Sequence, residues 1–388
     1  MPALDGLLIA DFTRVLAGPY ASMLLADLGA EVIKVERPGM GDDTRAWGPP
    51  FDAAGQATYF QSVNRNKRSV TLDLSDPTDV GLAGELVRRA DVMMHNFRPG
   101  QMARYGLDYD TVSARNPGLV YAEISGFGDG AGAALPGYDL LVQAVGGLMS
   151  ITGEPGSPSK VGVALVDVLA GLHTTVGVLA ALESRHRTGR GQLVQVNLLG
   201  TLLSSMVNQS AAFVGAGVIP AALGNAHPSI APYQPFATAD QPIVVAAGND
   251  GQFRKLCAVL GRAHLADDER FATNPARVEH RSELEAALAS VFARADAAHW
   301  QRRLTEVGVP CGPINDVGQA FVLAETLGLQ PIARSMRADA HDVPTTANPI
   351  SLSDTPVRYE RPAPQLGADN EEVRAWLADR TDASRLPT

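Results

Sequence analysis

One carboxylate, Asp167, stands out because it lies between an apolar run and a helix made almost wholly of small and apolar residues. Residues 159–191 read SKVGVALVDVLAGLHTTVGVLAALESRHRTGRG, with no other acid between Asp167 and Glu183. Asp is a favoured N-cap residue, so a plain cap at the start of this helix is one interpretation. The other is a nearly buried carboxylate that the helix N-terminus keeps ionised, which could attack an acyl group.

The helix predicted to begin at Asp167 has no polar face, which indicates a buried helix. Small residues such as Gly171 would allow another backbone or a ligand to approach it closely. Basic residues 185–187 precede Gly189, as is usual where a helix ends. His173 lies six residues after Asp167, off the face of the helix that carries Asp167, and we interpret it as a buried structural histidine.

Cations near the ends of predicted strands form a second group. Such residues suit a phosphorylated ligand, because Arg offers paired hydrogen bonds to phosphate oxygens. Each one alone would usually be a solvated surface charge, but together they indicate a phosphate site. The members are Arg37, Lys67, Arg68, Arg98 and Arg104.

Several familiar sites are missing from the chain. It has no G-x-S-x-G, H-E-x-x-H, C-x-x-C or G-x-x-x-x-G-K-S/T motif. The segment GFGDGA at 126–131 matches G-x-G-x-x-A, but Gly132 and Pro136 follow where a helix should open, so we interpret it as a flexible loop. The eight histidines show no ligand spacing, and we predict no metal site.

Composition excludes other classes of function. The net charge of −10 argues against nucleic-acid binding. Two cysteines among 388 residues indicate no disulfide framework and a reducing compartment. The N-terminal apolar run is too short for a signal peptide or a membrane span, so we expect a cytoplasmic protein with no membrane partner.

The pattern of the first half alternates short apolar runs with helical stretches, which predicts an α/β fold with a mostly parallel sheet and a ligand at the carboxyl ends of its strands. The predicted strands are Leu7–Phe12, Glu31–Glu36, Ser69–Leu74, Val92–Asn96, Leu119–Ile124 and Gln192–Leu198. We divide the chain into a large domain (1–217), a linker (218–229), a small α/β domain (230–310) and a C-terminal segment (311–388).

A family resemblance is carried by segments in a fixed order from residue 4 to about 376. They are LDGLLIADFTRVLAGPYASMLLADLGAEVIKVERP, NRNKRSVTLDL, NFRPGQMARYGLDY, PGYDLLVQAVGGLMSITG, the Asp167 stretch, HPSIAPYQPF, GVPCGPIND and PAPQLGADNEEV. Together they resemble a family III CoA-transferase of the CaiB/BaiF type.

The resemblance implies an intertwined, ring-like homodimer whose Rossmann-like large domain is built from both ends of the chain. Its substrates would be an acyl-CoA thioester and a free carboxylic acid, with no metal, ATP or permanently bound cofactor. The resemblance also makes Asp167 the nucleophile, with capping as a secondary role: it would form a mixed anhydride and then an aspartyl-CoA thioester.

The resemblance also implies positions for CoA contacts and for a substrate loop. The CoA positions are Leu16, Ala17, Arg37, Leu72, Asp73, Leu74, Asn96, Phe97, Arg98, Arg104, Tyr138 and Asp139. Leu16, Ser75 and Pro136 stand where some relatives have Gln or Lys, so those polar contacts are expected to differ. Gly248 and Gly251 fall where relatives have a glycine loop over the site, although a plain strand-to-helix turn would explain them equally.

Two rival functions remain open. The same fold includes 2-methylacyl-CoA racemases, whose catalytic His falls where this chain has Tyr138. Tyrosine is a poor base near neutral pH, which favours the transferase. The other rival is a CoA-binding protein without catalysis, against which the presence of Asp167 argues.

Overall fold

A computed structural model describes residues 1–337 and 342–379. The strands are β1 (Leu8–Asp11), β2 (Glu31–Glu36), β3 (Lys67–Thr71), β4 (Val92–His95), β5 (Val120–Ser125), β6 (Gly153–Glu154), β7 (Ser157–Pro158), β8 (Leu193–Asn197), β9 (Tyr233–Phe236), β10 (Ile243–Ala246), β11 (Cys311–Pro313), β12 (Ile332–Met336) and β13 (Asp342–Thr346). The α-helices are α1 (Ala17–Asp27), α2 (Thr58–Gln61), α3 (Pro77–Arg89), α4 (Tyr109–Arg115), α5 (Asp139–Val145), α6 (Leu148–Ile151), α7 (Leu165–Thr188), α8 (Leu198–Ser205), α9 (Val207–Ala216), α10 (Asp250–Val259), α11 (Asn274–Glu279), α12 (Arg281–Phe292), α13 (Ala297–Glu306), α14 (Val317–Thr326) and α15 (Asn370–Ala378).

The central sheet confirms the predicted α/β class. Its six strands are all parallel and run in the order β3-β2-β1-β4-β5-β8. Apolar clusters cover both faces, which is why the strands read as nearly continuous apolar runs. The strand predicted at Ser69–Leu74 begins and ends earlier, at Lys67–Thr71. The reason is that Lys67 and Arg68, although charged, are buried and pair with β2. In this strand order, the chain reverses direction across the sheet between β1 and β4, where α/β proteins bind ligands.

The chain forms two compact units. The first contains residues 1–146, 161–216 and the described residues from 329 on, and it holds the parallel sheet. The second contains 147–160 and 217–328 and holds the antiparallel sheet β11-β10-β9. It extends beyond the predicted 230–310 at both ends. At the C-terminal end the reason is that β11 pairs with β10. Of the C-terminal segment, residues 338–341 and 380–388 lie outside the described residues.

Helix α7 begins two residues before the predicted start. Ala164 is its N-cap residue and provides no side-chain cap, so Asp167 lies in the first turn and the interpretation of Asp167 as a plain N-cap is wrong. Gly189 ends the helix in the left-handed conformation, as predicted. A Cβ on Gly171 would lie 2.7 Å from the carbonyl oxygen of Ala17, so this glycine allows α1 and α7 to pack backbone to backbone.

The prediction that this helix is buried on all sides is wrong. Residues such as Ala170 and Val178 face the core, while Leu172 and Val176 are 40% and 65% exposed. His173 is also exposed, and its Nδ1 lies 2.8 Å from the carbonyl oxygen of Leu169, so it is not the buried histidine that we expected. Among the described residues, α7 is the one helix long and apolar enough to cross a membrane, but core helices of soluble proteins pass the same test.

Candidate active site

The site is built around the loop that joins β1 to α1, residues 12–16, which we call the β1–α1 loop. Val15 adopts a φ of 69°, which costs free energy for a β-branched residue and persists only where the surroundings impose it. Asn96, just after β4, accepts a 2.8 Å hydrogen bond from the Arg14 amide and donates a 2.7 Å bond to the Arg14 carbonyl. The side chain of Asn96 thereby fixes the loop.

A buried ion pair supports the same loop from beneath. Lys34 and Asp42 have fully buried side chains, and Nζ of Lys34 lies 2.9 Å from a carboxylate oxygen of Asp42. Lys34 also donates to the carbonyl of Thr13, and Asp42 accepts from the amide of Val15. Burial alone would raise the pKa of Asp42, but the Lys34 ammonium lowers it to about 2. Asp42 is therefore ionised at every physiological pH.

A cleft of about 250 Å³ opens above this loop and contains Asp167. The sequence predicted seven of its lining residues from four different elements. They are Leu16, Ala17, Asn96, Phe97, Arg98, Tyr138 and Asp167. The segment GFGDGA also contributes to the lining, through residues 126–128, and it leads to α5 at Asp139 without opening a helix at its own end. That segment belongs to the site, a role that the sequence did not indicate.

A second cleft, of about 270 Å³, contains four more predicted residues. They are Arg37, Leu72, Asp73 and Leu74, and Ser75 lies beside them. Arg14 and Phe97 line both clefts, so the two spaces meet at this pair. The Arg14 guanidinium lies 4.9 Å from the centroid of the Phe97 ring. The two clefts are therefore adjacent, and their lining residues follow the carboxyl ends of several parallel strands.

Asp167 has an unusual electrostatic environment for a carboxylate. Burial in the cleft wall and, second, the negative charge of Asp139 raise the pKa of Asp167 to about 7. The expectation that the helix N-terminus keeps this group ionised is therefore only partly met. The helix dipole favours the charged form by less than desolvation disfavours it. A carboxylate that loses its proton near neutral pH, without a cation to stabilise it, is a reactive group.

Asp139 performs the capping role that the sequence had suggested for Asp167. Its Oδ1 accepts a 2.8 Å hydrogen bond from the amide of Val166, in the first turn of α7, and its Oδ2 accepts a 2.6 Å bond from Gln143. It lines neither cleft, and both of its oxygens have protein partners. The structure thus offers a structural explanation for Asp139, beside the predicted contact with CoA.

Two predicted phosphate ligands are wrong. The ammonium group of Lys67 is fully buried and bonds to Asp11, Asn64 and the carbonyl of Pro19. Arg68 pairs with acids of β2 and of the C-terminal segment, at residues 31, 369 and 372. Both cations begin β3 at its amino end, away from the edge of the sheet where the strands end.

The remaining predicted cations are accessible. Arg37 is half exposed and pairs with Asp43 at 2.8 Å. Arg98 and Arg104 are exposed and make no ion pair with any residue that the structure describes. Arg98 lines the cleft of Asp167, whereas Arg104 lines neither cleft and lies in a short 3₁₀ helix beside Tyr105, which lines the second one.

Sequence reasoning also missed Arg14, which lines both clefts, and Tyr59, which interacts with Asp167. Arg14 directly follows Phe12 and Thr13 at the carboxyl end of β1, so the rule that strand-end cations contact ligands would have found it. Tyr59 of α2 was not detectable, because nothing in its local sequence places it near Asp167. Burial and, second, the negative charge of Asp167 raise the pKa of the Tyr59 hydroxyl, so the two groups interact electrostatically.

Gly248 and Gly251 lie in the second unit. The amide of Gly248 donates a 2.9 Å hydrogen bond to Gln252, and Gly251 is in the first turn of α10 after the N-cap residue Asn249. Locally this is a strand-to-helix turn, and the role of the two glycines as a substrate loop stays a prediction. Over residues 1–337 and 342–379, no three His, Cys, Asp or Glu side chains are grouped as a metal would require.

Comparison with known proteins identifies the family. The sequence model of CoA-transferase family III matches residues 4–370. The chain is 44% identical to a succinate–glutarate CoA-transferase of Agrobacterium fabrum, over 97% of this chain and 96% of that protein. It is 41% identical to an acetyl-CoA:oxalate CoA-transferase of Acetobacter aceti, over 96% and 95% of the two chains.

A solved structure agrees with this assignment. The crystal structure of a CAIB/BAIF family protein from Brucella suis superposes with a TM-score of 0.85 at 41% sequence identity, covering 97% of this chain and 99% of that one. Sequence and fold therefore agree over nearly the whole length. The protein belongs to CoA-transferase family III.

Proposed function

We propose that this enzyme, which transfers CoA between an acyl-CoA thioester and a free carboxylic acid, does so through covalent intermediates on Asp167. The observation that carries the proposal is a carboxylate in the cleft wall with a pKa of about 7 and no cation beside it among the residues that shift that pKa. Partial desolvation makes such an oxygen a better nucleophile than a fully hydrated carboxylate, since less of a water shell has to be removed.

The proposed reaction balances without an external energy source. An Asp167 oxygen attacks the thioester carbonyl and expels the CoA thiolate, forming a mixed anhydride. The thiolate then attacks the Asp167 carbonyl, releases the first acid and leaves an aspartyl-CoA thioester. The acceptor carboxylate attacks this thioester to form a second anhydride, and the thiolate attacks the acceptor's carbonyl to give the new acyl-CoA. No metal, ATP or permanent cofactor takes part.

CoA occupies the two joined clefts in this proposal, with its thioester beside Asp167 and its phosphates near the accessible arginines. Arg98 and Arg104 support it because they are exposed and lack ion-pair partners among the described residues. We expect Arg104→Ala to raise the KM for acyl-CoA about tenfold, with a smaller change in kcat. An unchanged KM would remove Arg104 from the site, and the exposed Arg294→Ala in the second unit is the matched control.

The acceptor in this proposal is a small dicarboxylic acid. Relatives are named for succinate, glutarate, oxalate and mesaconate, and the cleft of Asp167 contains Arg14 as a cation for a second carboxylate. Competition between succinate, glutarate, oxalate and acetate as acceptors tests this. Equal efficiency of acetate would contradict it.

The proposed assembly is the intertwined homodimer. Exposed apolar residues on α9 and α14 support a large interface, because a monomer would leave them in water. They include Phe213, Val214, Val317 and Val322, which are 59–83% exposed. Light scattering at micromolar concentration should give twice the mass of one chain. The two cysteines are unpaired, which suits the proposed cytoplasmic location.

One experiment tests the function against its isomerase rival. The protein is incubated in D2O with an acyl-CoA and a free carboxylic acid, and the products are analysed by mass spectrometry. Movement of CoA to the acid without deuterium at the α-carbon is the expected result. Deuterium incorporation without transfer would identify an isomerase, and neither reaction would leave a CoA-binding protein.

A further inference from the structure

The nucleophile's position depends on a hydrogen-bonded chain that begins at Gln143, a residue that the proposed mechanism does not use. The side chain of Gln143 is completely buried in α5. Its Nε2 donates a 2.6 Å hydrogen bond to Oδ2 of Asp139, and its Oε1 accepts a 2.9 Å bond from the amide of Val161. Asp139 in turn accepts the amide of Val166. One amide side chain therefore connects both ends of the segment 161–166 that leads into Asp167.

We propose that Gln143 is a positioning residue for Asp167, because it fixes the Asp139 carboxylate across the first turn of α7. This inference rests on the proposed function. Ala164 gives α7 no side-chain cap, so the turn that carries Asp167 is held from outside by Asp139. Segment 161–164 is irregular, and the Gln143 bond to Val161 holds its start.

The direction of each hydrogen bond allows only one orientation of the amide. Its NH₂ group faces a carboxylate and its oxygen faces a backbone N–H. An Asp139→Asn substitution would place two NH₂ groups face to face, and Gln143→Glu would place two carboxylates face to face. In the double variant, every hydrogen-bond donor again faces an acceptor, and the negative charge has moved from position 139 to position 143.

The charged and titratable groups around Asp167 come from several elements. Asp139 belongs to α5 and Tyr59 to α2, and the rest line the cleft. Those in the cleft are Arg14, Asp43, Arg98 and Tyr138. Only Asp139, after burial, affects the pKa of Asp167 appreciably. Asp139 contacts the amide of Val166, next to Asp167, whereas Gln143 contacts that of Val161. Moving the charge from position 139 to position 143 should therefore lower the pH at which the nucleophile loses its proton.

The test compares kcat, KM and the pH profile of four proteins: wild type, Asp139→Asn, Gln143→Glu and the double variant. We expect each single substitution to reduce kcat about tenfold, as a buried hydrogen-bond mismatch does, with little change in the KM for acyl-CoA. The double variant should recover to within about threefold of wild type. The acidic limb of its pH profile should move below that of wild type.

Thr174→Val is the control, because it removes a buried 2.8 Å hydrogen bond to Ala170 on the same helix without contacting Asp139. It should leave kcat and the pH profile unchanged. Thermal unfolding of every variant shows whether it folds, and Gln143→Met replaces Gln143→Glu as the single variant if the latter does not.

Unchanged kcat in the single variants, or a double variant no better than the product of the two single effects, would overturn the role of Gln143. Absence of transfer by the wild type would instead refute the proposed function.

Discussion

Asp42 is a buried carboxylate and Asp167 a partly buried one, both beside the β1–α1 loop, and the charges around them differ. Asp42 has the Lys34 ammonium at 2.9 Å and a pKa lowered to about 2. Asp167 has no such cation, and burial and Asp139 raise its pKa to about 7. The comparison teaches that burial alone does not make a carboxylate reactive. What matters is whether its charge is neutralised where it is buried.

Removing the proposed nucleophile should have the largest effect of all the substitutions. Asp167→Asn keeps the size of the side chain but cannot form the anhydride, so we expect transfer to fall by roughly a thousandfold or more. Steady-state assays with an acyl-CoA and a dicarboxylate measure it. Retention of near wild-type transfer would show that Asp167 is another structural carboxylate, like Asp42.

Removing the structural carboxylate, Asp42, should instead lower the stability of the protein. Asp42→Asn leaves Lys34 buried without its partner at 2.9 Å, and we expect the free energy of unfolding to fall by about 3–5 kcal/mol. Denaturant unfolding measures the change, and Asp5→Asn at an exposed position is the control. If Asp42→Asn proved as stable as wild type, the pair would not be what holds the loop.

The pH dependence of activity should report the raised pKa. Asp167 must lose its proton to attack, so kcat/KM should decline about tenfold for each pH unit below 7 and level off above it. Asp42, ionised above pH 2, should contribute nothing in this range. A profile that is flat between pH 5 and 8 would contradict the proposed electrostatics of the cleft.

The raised pKa of Asp167 should also affect the melting temperature, although this effect is smaller. The pKa of Asp167 is higher in the folded protein than in the unfolded chain, so the folded state holds the extra proton between about pH 4 and 7. This contribution to stability is lost as the pH rises through that window. At pH 8, Asp167→Asn should therefore raise the melting temperature by roughly 2–4 °C, and by much less at pH 4. Calorimetry of both proteins at the two pH values checks the sign.

Local patterns sufficed to predict the strands of the parallel sheet and to single out Asp167 as an unusual carboxylate, whose role as the nucleophile stays a prediction. The apolar runs marked six parallel strands, and the small residues around Gly171 anticipated a close backbone contact. The contacts that define the site's electrostatics join distant parts of the chain, and local patterns could not show them. Asp139 caps a helix 27 residues later, and the partners of Lys67 include Asp11, 56 residues earlier. His173 was placed wrongly because an apolar helix does not show which side the core covers.

Isotope transfer tests the central claim most directly. In the proposed anhydride steps, each acceptor carboxylate leaves one of its oxygens on Asp167. Wild-type enzyme turned over with ¹⁸O-labelled succinate should yield a peptide containing Asp167 that is heavier by one and then two ¹⁸O atoms. Unlabelled succinate in H₂¹⁸O is the control for hydrolysis. Transfer of CoA with no label on this peptide would contradict covalent catalysis by Asp167.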